Sequence, residues 1–273
     1  MTDPSPSERL AIEEERTERV QEREKSRRFQ AVLDGIPLLA TLATALVAVV
    51  GNLQSQQQYR DTQASERFQN AVVMLSGADL TTRVGGIALL GQVAQTNPER
   101  RENVVRLLAT YLRVHSPVVE GKRTAEVVQA PASEEVRAVF AALQYRGDVK
   151  ALDLGRISAR NLSLDGADLT GLVFSRSDLS GSMFSKANLS HVMMRSATLR
   201  HTNFSGADLT GAELQDADLT GANLQGADFS GANLQGADLS GANLQGAQGL
   251  TAAALKGATT DARTVLPAGI QAP

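Results

Sequence analysis

The 273-residue chain has no cysteine, no tryptophan and only ten aromatic residues, seven Phe and three Tyr. Without cysteine there is no disulfide framework, no thiolate zinc site, no iron–sulfur ligation and no cysteine nucleophile. An excess of charge is also missing: 27 Lys and Arg face 30 Asp and Glu, a net charge of -3, which leaves no global basic footprint for nucleic acid. A disordered chain is excluded by the 42% of apolar residues. At this length one or two domains are expected.

The N-terminal third divides by polarity. Residues 1–35 read as a charged helical extension with Glu15/Arg19 and Glu24/Arg28 at the favourable (i, i+4) spacing. It lacks a continuous apolar stripe, so it reads as a solvated extension, with a partner-binding helix as the other reading. From Gly35 to Tyr59 there is no charge, and residues 36–53 (IPLLATLATALVAVVGNL) carry 13 aliphatic residues in 18. At 1.5 Å per residue this stretch covers about 27 Å of a hydrocarbon core about 30 Å thick, so it predicts a transmembrane helix. A buried core helix is the alternative. A cleaved signal peptide fits less well, because the run begins behind an acidic segment and no small-residue cleavage site follows. Arg23, Lys25, Arg27 and Arg28 before the span outnumber Arg60 and Arg67 after it, which favours a cytoplasmic N-terminus by a narrow margin. The localisation expected is therefore the cell membrane, single-pass, with the side of the folded part open.

Residues 62–116 predict three helices. Phe68, Val72 and Leu75 share one face of the first; Val84, Ile87, Leu90 and Val93 belong to the second. The third starts with Asn97 as N-cap, Pro98 at its first position and Glu99 at its positive end. Gly85, Gly86 and Gly91 lack the Lys-Ser/Thr of a phosphate loop and follow no strand, so they read as close helix packing. A linker at 117–133 and a short helix at 134–146 lead to residues 150–249, and 250–273 form a tail with Leu250 and Leu255 as plugging side chains.

From Leu154 to Leu244 an apolar residue recurs every fifth position, 18 of the 20 positions up to 249. Two residues before it stands Ala at 12 of 20 units, and between them Asp or Asn at 12 of 20. Period five suits neither a helix nor a strand. This stretch, ADLTGAELQDADLTGANLQGADFSGANLQGADLSGANLQ, resembles the pentapeptide-repeat family, motif A(D/N)LXX. The resemblance implies a mainly β fold, a right-handed quadrilateral β-solenoid of about five coils, with an N-terminal α-helical region that includes the transmembrane helix and a short C-terminal capping helix. It also implies that the central Leu or Phe and the small residue two before it point inward. At a spacing of about 4.8 Å, five coils make about 24 Å of rod, with Phe184 and Phe204 in one column. The helix at 134–146 is placed to cap the first coil.

No catalytic, cofactor or metal site is expected. His191 and His201 lie ten residues apart, on opposite sides of such a rod, where no metal could take both. The repeated Asp residues answer the fold's period and form no pair of carboxylates in unlike environments. Two surfaces remain. In the earlier coils Val173, Met183 and Met193 replace Asp or Asn at an outward position, and Arg176, Lys186, Arg195 and Arg200 add positive charge, so Arg176, Met183, Lys186, Met193, Arg195 and Arg200 form a candidate interaction surface, against the protein's own helices or a partner. Between 205 and 249 stand Asp208, Glu213, Asp216, Asp218, Asp228 and Asp238 with no basic residue. The leading functional expectation is a non-enzymatic, membrane-anchored scaffold that binds an unidentified protein, with no direct nucleic-acid contact and a homodimer as one arrangement. The alternative, which the resemblance brings, is a DNA mimic that presents the acidic surface to a type II topoisomerase such as gyrase.

Overall fold

The computed structural model describes residues 6–118 and 132–270, apart from the side chains of 6–15, 17 and 29–43. The first and last few residues and most of the linker predicted at 117–133 therefore lie outside the described residues. Contacts divide the chain into two units, Met1–Gln63 and Ala64–Pro273. Helix α1 (Pro6–Leu75) is 70 residues long and belongs to the first unit as far as Gln63.

In the first unit Glu24 and Arg28 pair at 3.3 Å across one helical turn. The transmembrane expectation for 36–53 is overturned: among the described residues no helix is long and apolar enough to cross a membrane. The side chains of 36–43 lie outside the description of this apolar stretch, 36–53. Beyond it comes the polar run Gln54–Gln58. The single-pass localisation and its orientation thus have no span to rest on.

The second unit opens with a small helical body. Helix α2 (Leu80–Thr96) starts at Asp79, whose carboxylate accepts from the Thr82 amide at 2.8 Å. Helix α3 (Pro98–His115) carries Pro98 in its first turn, but Asn97 does not cap it. The Asn97 amide instead donates backward to the Val93 carbonyl at 3.2 Å and the Thr96 hydroxyl at 2.8 Å, closing α2. Two glycines let helices touch: a methyl at Gly86 would stand 2.8 Å from Met74 Cβ, and one at Gly91 would stand 3.0 Å from Ala142 Cβ. Ala142 lies on α4 (Glu134–Leu143), which buries Val136, Val139, Phe140 and Leu143.

From Leu152 onward the chain winds in turns of 20 residues. Pentads of the inner turns share one set of bonds: the Phe174 amide donates to Met193 O at 2.7 Å, the Arg176 amide to Arg195 O at 2.8 Å, the Ser177 amide back to Phe174 O at 3.1 Å, and the Asp178 amide to Ile157 O on the preceding turn at 2.9 Å. The central residues and those two before them are inside; Phe174, Phe184, Phe204, Leu214, Leu219 and Leu224 are fully buried. Phe184 and Phe204 stack with centroids 5.1 Å apart, and Phe140 of α4 stacks on Phe174 at 6.2 Å. Where Ser replaces Ala inside, its hydroxyl is satisfied: Ser177 accepts from the Ile157 amide at 3.2 Å and donates to Leu154 O at 3.0 Å.

The mainly β expectation is overturned. Among the described residues no extended strand forms, and all regular secondary structure is helical; neighbouring turns meet through isolated bridges, such as Met193 with Val173 and with Glu213, one residue per pentad. The physical reason is in the pentad itself. Its last position has φ between 52° and 72° in every unit from Ala151 to Gly246, so the backbone turns before a second consecutive bridge can form. At the far end the short helix α5 (Ala252–Leu255) buries Leu255, and Thr259 and Val265 bridge to Asp238 and Asn243.

Candidate functional site

The outward Asp and Asn residues have a structural task. In the pentads between 177 and 226 that carry Asp or Asn, four amides bond to backbone, and the fifth, two residues after the Asp or Asn, bonds to that side chain. Thr170, Ser180, Ser190, Ser205, Thr210, Thr220 and Gln225 all donate their amides to the Oδ1 two residues earlier at 2.9–3.2 Å. These Asx turns supply the acceptor that the tight corner denies the backbone. The Ser230 and Ser240 side chains, followed by their amides, hold the Asp228 and Asp238 carboxyls below the usual carboxylate range.

The bridges order the outward residues into four columns. The first runs Asp153, Val173, Met193, Glu213, Asn233; the second Ser158, Asp178, Thr198, Asp218, Asp238; the third Ser163, Met183, Asn203, Asn223, Asn243; the fourth Asp168, Asn188, Asp208, Asp228, Gln248. This register separates residues that the sequence grouped. Met183 (45% exposed) and Met193 (37% exposed) stand in the third and first columns, half a turn apart. Arg176 and Arg195 follow the first column, beside Val173 and Met193; Lys186 follows the third and Arg200 the second. The exposure of both methionines also means that the helices of this unit do not cover them.

The acidic residues are likewise divided. Asp208 and Asp228 share the fourth column and Asp218 and Asp238 the second; Glu213 is in the first, and Asp216 occupies a corner with φ 56°. Two of the six are paired: Arg195 meets Glu213 at 2.7 Å and Arg200 meets Asp218 at 2.8 Å. Arg160 bonds Asp178 in the same way. The Arg stands eighteen residues before the acid each time, a spacing that one turn of the coil converts into contact. His191 and His201 are exposed and lie over Gly211 and Gly221 of the next turn. Among the described residues no group of three or more His, Asp or Glu side chains could hold a metal ion.

Two further clusters escape a reading by spacing. In the helical body Glu135 accepts from Arg83 Nε and from the Tyr111 hydroxyl, both at 2.6 Å, while Arg83 Nη1 donates to Ala78 O at 2.8 Å. Burial, reinforced by the Glu135 carboxylate, pushes Tyr111 up to about 12. Burial alone would raise Glu135, but the bonds from Tyr111 and Arg83 hold its carboxyl below the ordinary range. His115 stacks on Tyr111 at 4.0 Å. These groups lock α2, α3 and α4 together and leave no carboxylate free for acid–base work. The second cluster is a cleft of about 640 Å³ between α4 and the first turn of the coil, lined by Phe140, Leu143, Leu164 and Leu169 with Arg137 and Arg146. Arg146 is 6% exposed and reaches Asp168 at 3.4 Å.

A model of the family described as pentapeptide repeats matches the chain in eight copies, over segments that together run from 163 to 259. The chain is also similar to the pentapeptide-repeat protein Rfr23 from the cyanobacterium Cyanothece 51142, at 30% identity over 40% of this chain and 90% of that one, TM-score 0.34. HetL from the cyanobacterium Nostoc sp. strain PCC 7120, involved in heterocyst differentiation regulation, is 34% identical over 45% of this chain and 56% of its own, TM-score 0.39. A trypsin-treated form of QnrB1, a plasmid-mediated fluoroquinolone resistance protein, is 20% identical over 44% of this chain and 77% of its own, TM-score 0.24. No curated protein matches the chain. The chain belongs to the pentapeptide-repeat family.

Proposed function

We propose that this chain is a non-enzymatic protein-interaction module whose binding surface is centred on the first column of the coil, at Val173 and Met193 with Arg176 and Arg195 beside them. The observation that supports it most is what the two apolar residues give up. At their position Asp or Asn caps the amide two residues on, as in twelve of the twenty pentads. Val173 and Met193 forgo that bond, bridge to each other, and leave the Met193 thioether exposed. The exposed Met193 beside the half-buried Val173, with Arg176 exposed next to them and Arg195 paired with Glu213, suits contact with a protein surface that is apolar at its centre and acidic at its rim. Met183 with Lys186 forms a smaller patch half a turn away.

The test is affinity capture by the full chain and by a Met193→Asp/Arg176→Glu variant. A partner should be retained by the natural chain and lost at least tenfold by the variant, with unchanged circular dichroism and melting temperature. Equal capture by both would overturn the reading. The DNA-mimic alternative draws on the stacked pairs Asp208/Asp228 and Asp218/Asp238, but Arg195 and Arg200 neutralise two of its six acids. Inhibition of gyrase supercoiling at micromolar protein, abolished by Asp228→Asn/Asp238→Asn, would put it first.

A further inference from the structure

The corner that follows the first column carries Arg156, Arg176, Ser196, Asp216 and Gly236, each one turn from the next. Four of the five hold a left-handed backbone without being glycine, at φ 54–60°, and each such residue costs about 1 kcal/mol or more. Asp216 is the sharpest case, since every other corner from Gly206 to Gly246 is glycine. It is exposed, and its carboxylate lies over Gly236 of the next turn. Among the described residues it caps no amide, in contrast with Asp208 and Asp218. The coil itself therefore gains nothing from an acid at this corner.

Opposite charges stand at equal distances from the middle of this corner. Ser196 is midway between Arg176 and Asp216, and in the same turn Met193 is midway between Val173 and Glu213 of the first column. Arg176, Met193, Ser196 and Asp216 are all exposed. With turns about 4.8 Å apart, Arg176 and Asp216 lie about 10 Å from each other along the rod. Such a strip is complementary to itself turned end for end. Two copies laid face to face and antiparallel, with a two-fold axis at the level of Met193, set Arg176 of each against Asp216 of the other and bring the two Met193 thioethers together between them. Parallel copies in register would oppose Arg176 to Arg176. In the antiparallel order Arg195 meets its mate near the axis, but each is held by its own Glu213 at 2.7 Å, and Val173 faces that neutralised pair.

We propose that the first column and the corner beside it form a self-association surface, whose partner is a second copy of this chain, antiparallel and centred on Met193. This rests on the interaction reading above and names its partner: the second copy supplies a surface that is apolar at its centre, at Met193, and acidic at its rim, at Asp216. The contact spans three turns, about 10 Å of rod, and so belongs to the small, weak class of interfaces, with half-association at roughly 10–100 μM protein.

The experiment is sedimentation equilibrium of the full-length chain across that range, with two charge reversals. Arg176→Asp and Asp216→Arg exchange residues that this corner already holds at nearly the same φ, so circular dichroism and melting temperature should stay unchanged. Each variant alone opposes like charges at both ends of the contact and should self-associate about tenfold more weakly. Mixed in equal amounts, the two again pair Asp with Arg at both ends, and association should return to the natural level, a rescue that a merely structural role does not give. Because the chain has no cysteine, Met193→Cys introduces a single thiol and should form a disulfide dimer on mild oxidation, while Met183→Cys, half a turn away, stays monomeric. A natural chain that stays monomeric, association indifferent to either reversal, a mixture that does not recover, or equal cross-linking of the two cysteine variants overturns the second copy as partner. A monomeric chain that still captures another protein, and loses it in the Met193→Asp/Arg176→Glu variant, overturns self-association while upholding the interaction module. Loss of both self-association and capture overturns the surface itself.

Discussion

The two halves of the coil make the same turns with different residues. From Gly206 to Gly246 the corner position with positive φ is Gly in every unit except Asp216, whereas from Ala151 to His201 it is Ala, Arg, Asn, Lys, His or Ser in eight units. The later half keeps Ala inside and Asp, Asn or Glu outside. The earlier half puts Ser177, Ser182 and Thr202 inside, and Val173, Met183 and Met193 outside. Left-handed backbone costs a non-glycine residue about 1 kcal/mol or more, so the earlier half gives up stability at position after position. The later half, Asp216 apart, answers to the fold alone; the earlier half, next to the helical body and the cleft, carries the residues that the fold does not require. Surface chemistry is therefore to be sought before residue 202 and at Asp216.

The comparison can be broken first inside the regular half. Leu219 is fully buried, and Leu219→Asp should cost more than about 4 kcal/mol, since a carboxyl there has no partner. Loss of the cooperative melting transition would show it, and an unchanged melting curve would mean the inward register is wrong. The second contrast is between capping carboxylates. Asp178 is 7% exposed, caps Ser180 and holds Arg160, so Asp178→Ala should cost about 3 kcal/mol. Asp228→Ala should cost about 1 kcal/mol, because water reaches the exposed Ser230 amide. Chemical denaturation measures both, and equal costs would remove the distinction between the halves.

Corner residues give a smaller effect of opposite sign in the two halves. Ser196→Gly should stabilise by roughly 0.5–1 kcal/mol, and Gly226→Ala, where space is open but φ is 67°, should destabilise by about 1 kcal/mol. If both destabilise, the earlier corners hold contacts beyond their backbone. The smallest effect concerns acid. Asp228 and Asp238 have lowered pKa values, so the stability they add is complete above the unfolded value of about 3.9 and is lost as pH falls through the folded value. Asp228→Asn/Asp238→Asn keeps the Asx acceptor and removes the charge, and should lower the melting temperature slightly at pH 7 while flattening its dependence on pH below 4.

Much of this was legible in the residues. The five-residue spacing from Leu154 marks the inward positions, because only a recurring backbone geometry places an apolar side chain at every fifth residue. Leu255 as a plug follows from its place after the last pentad. Other features were not legible. The apolar run at 36–53 reads as a membrane span by composition, yet among the described residues no helix is long and apolar enough to cross a membrane. Asn97 has the right side chain for a cap, but both of its neighbouring helices could use it, and α2 does. A repeat read as mainly β yields bridges without strands, since a left-handed residue ends each extended run.

What the sequence by itself determined is the pentad: which side chains turn inward, which Asp or Asn caps its own corner, and where those rules lapse at Val173, Met183 and Met193. These are local facts, set within five residues by steric size and hydrogen-bonding capacity. What only the tertiary structure decided is which lapses share a surface. Residues 20 apart become neighbours and residues ten apart become opposites, so Met193 joins Val173 and parts from Met183. The same winding joins Arg195 to Glu213 and Arg200 to Asp218, and brings the buried Arg146 to Asp168. Such contacts depend on the register between turns and on where α4 lies, and neither is written in any one pentad.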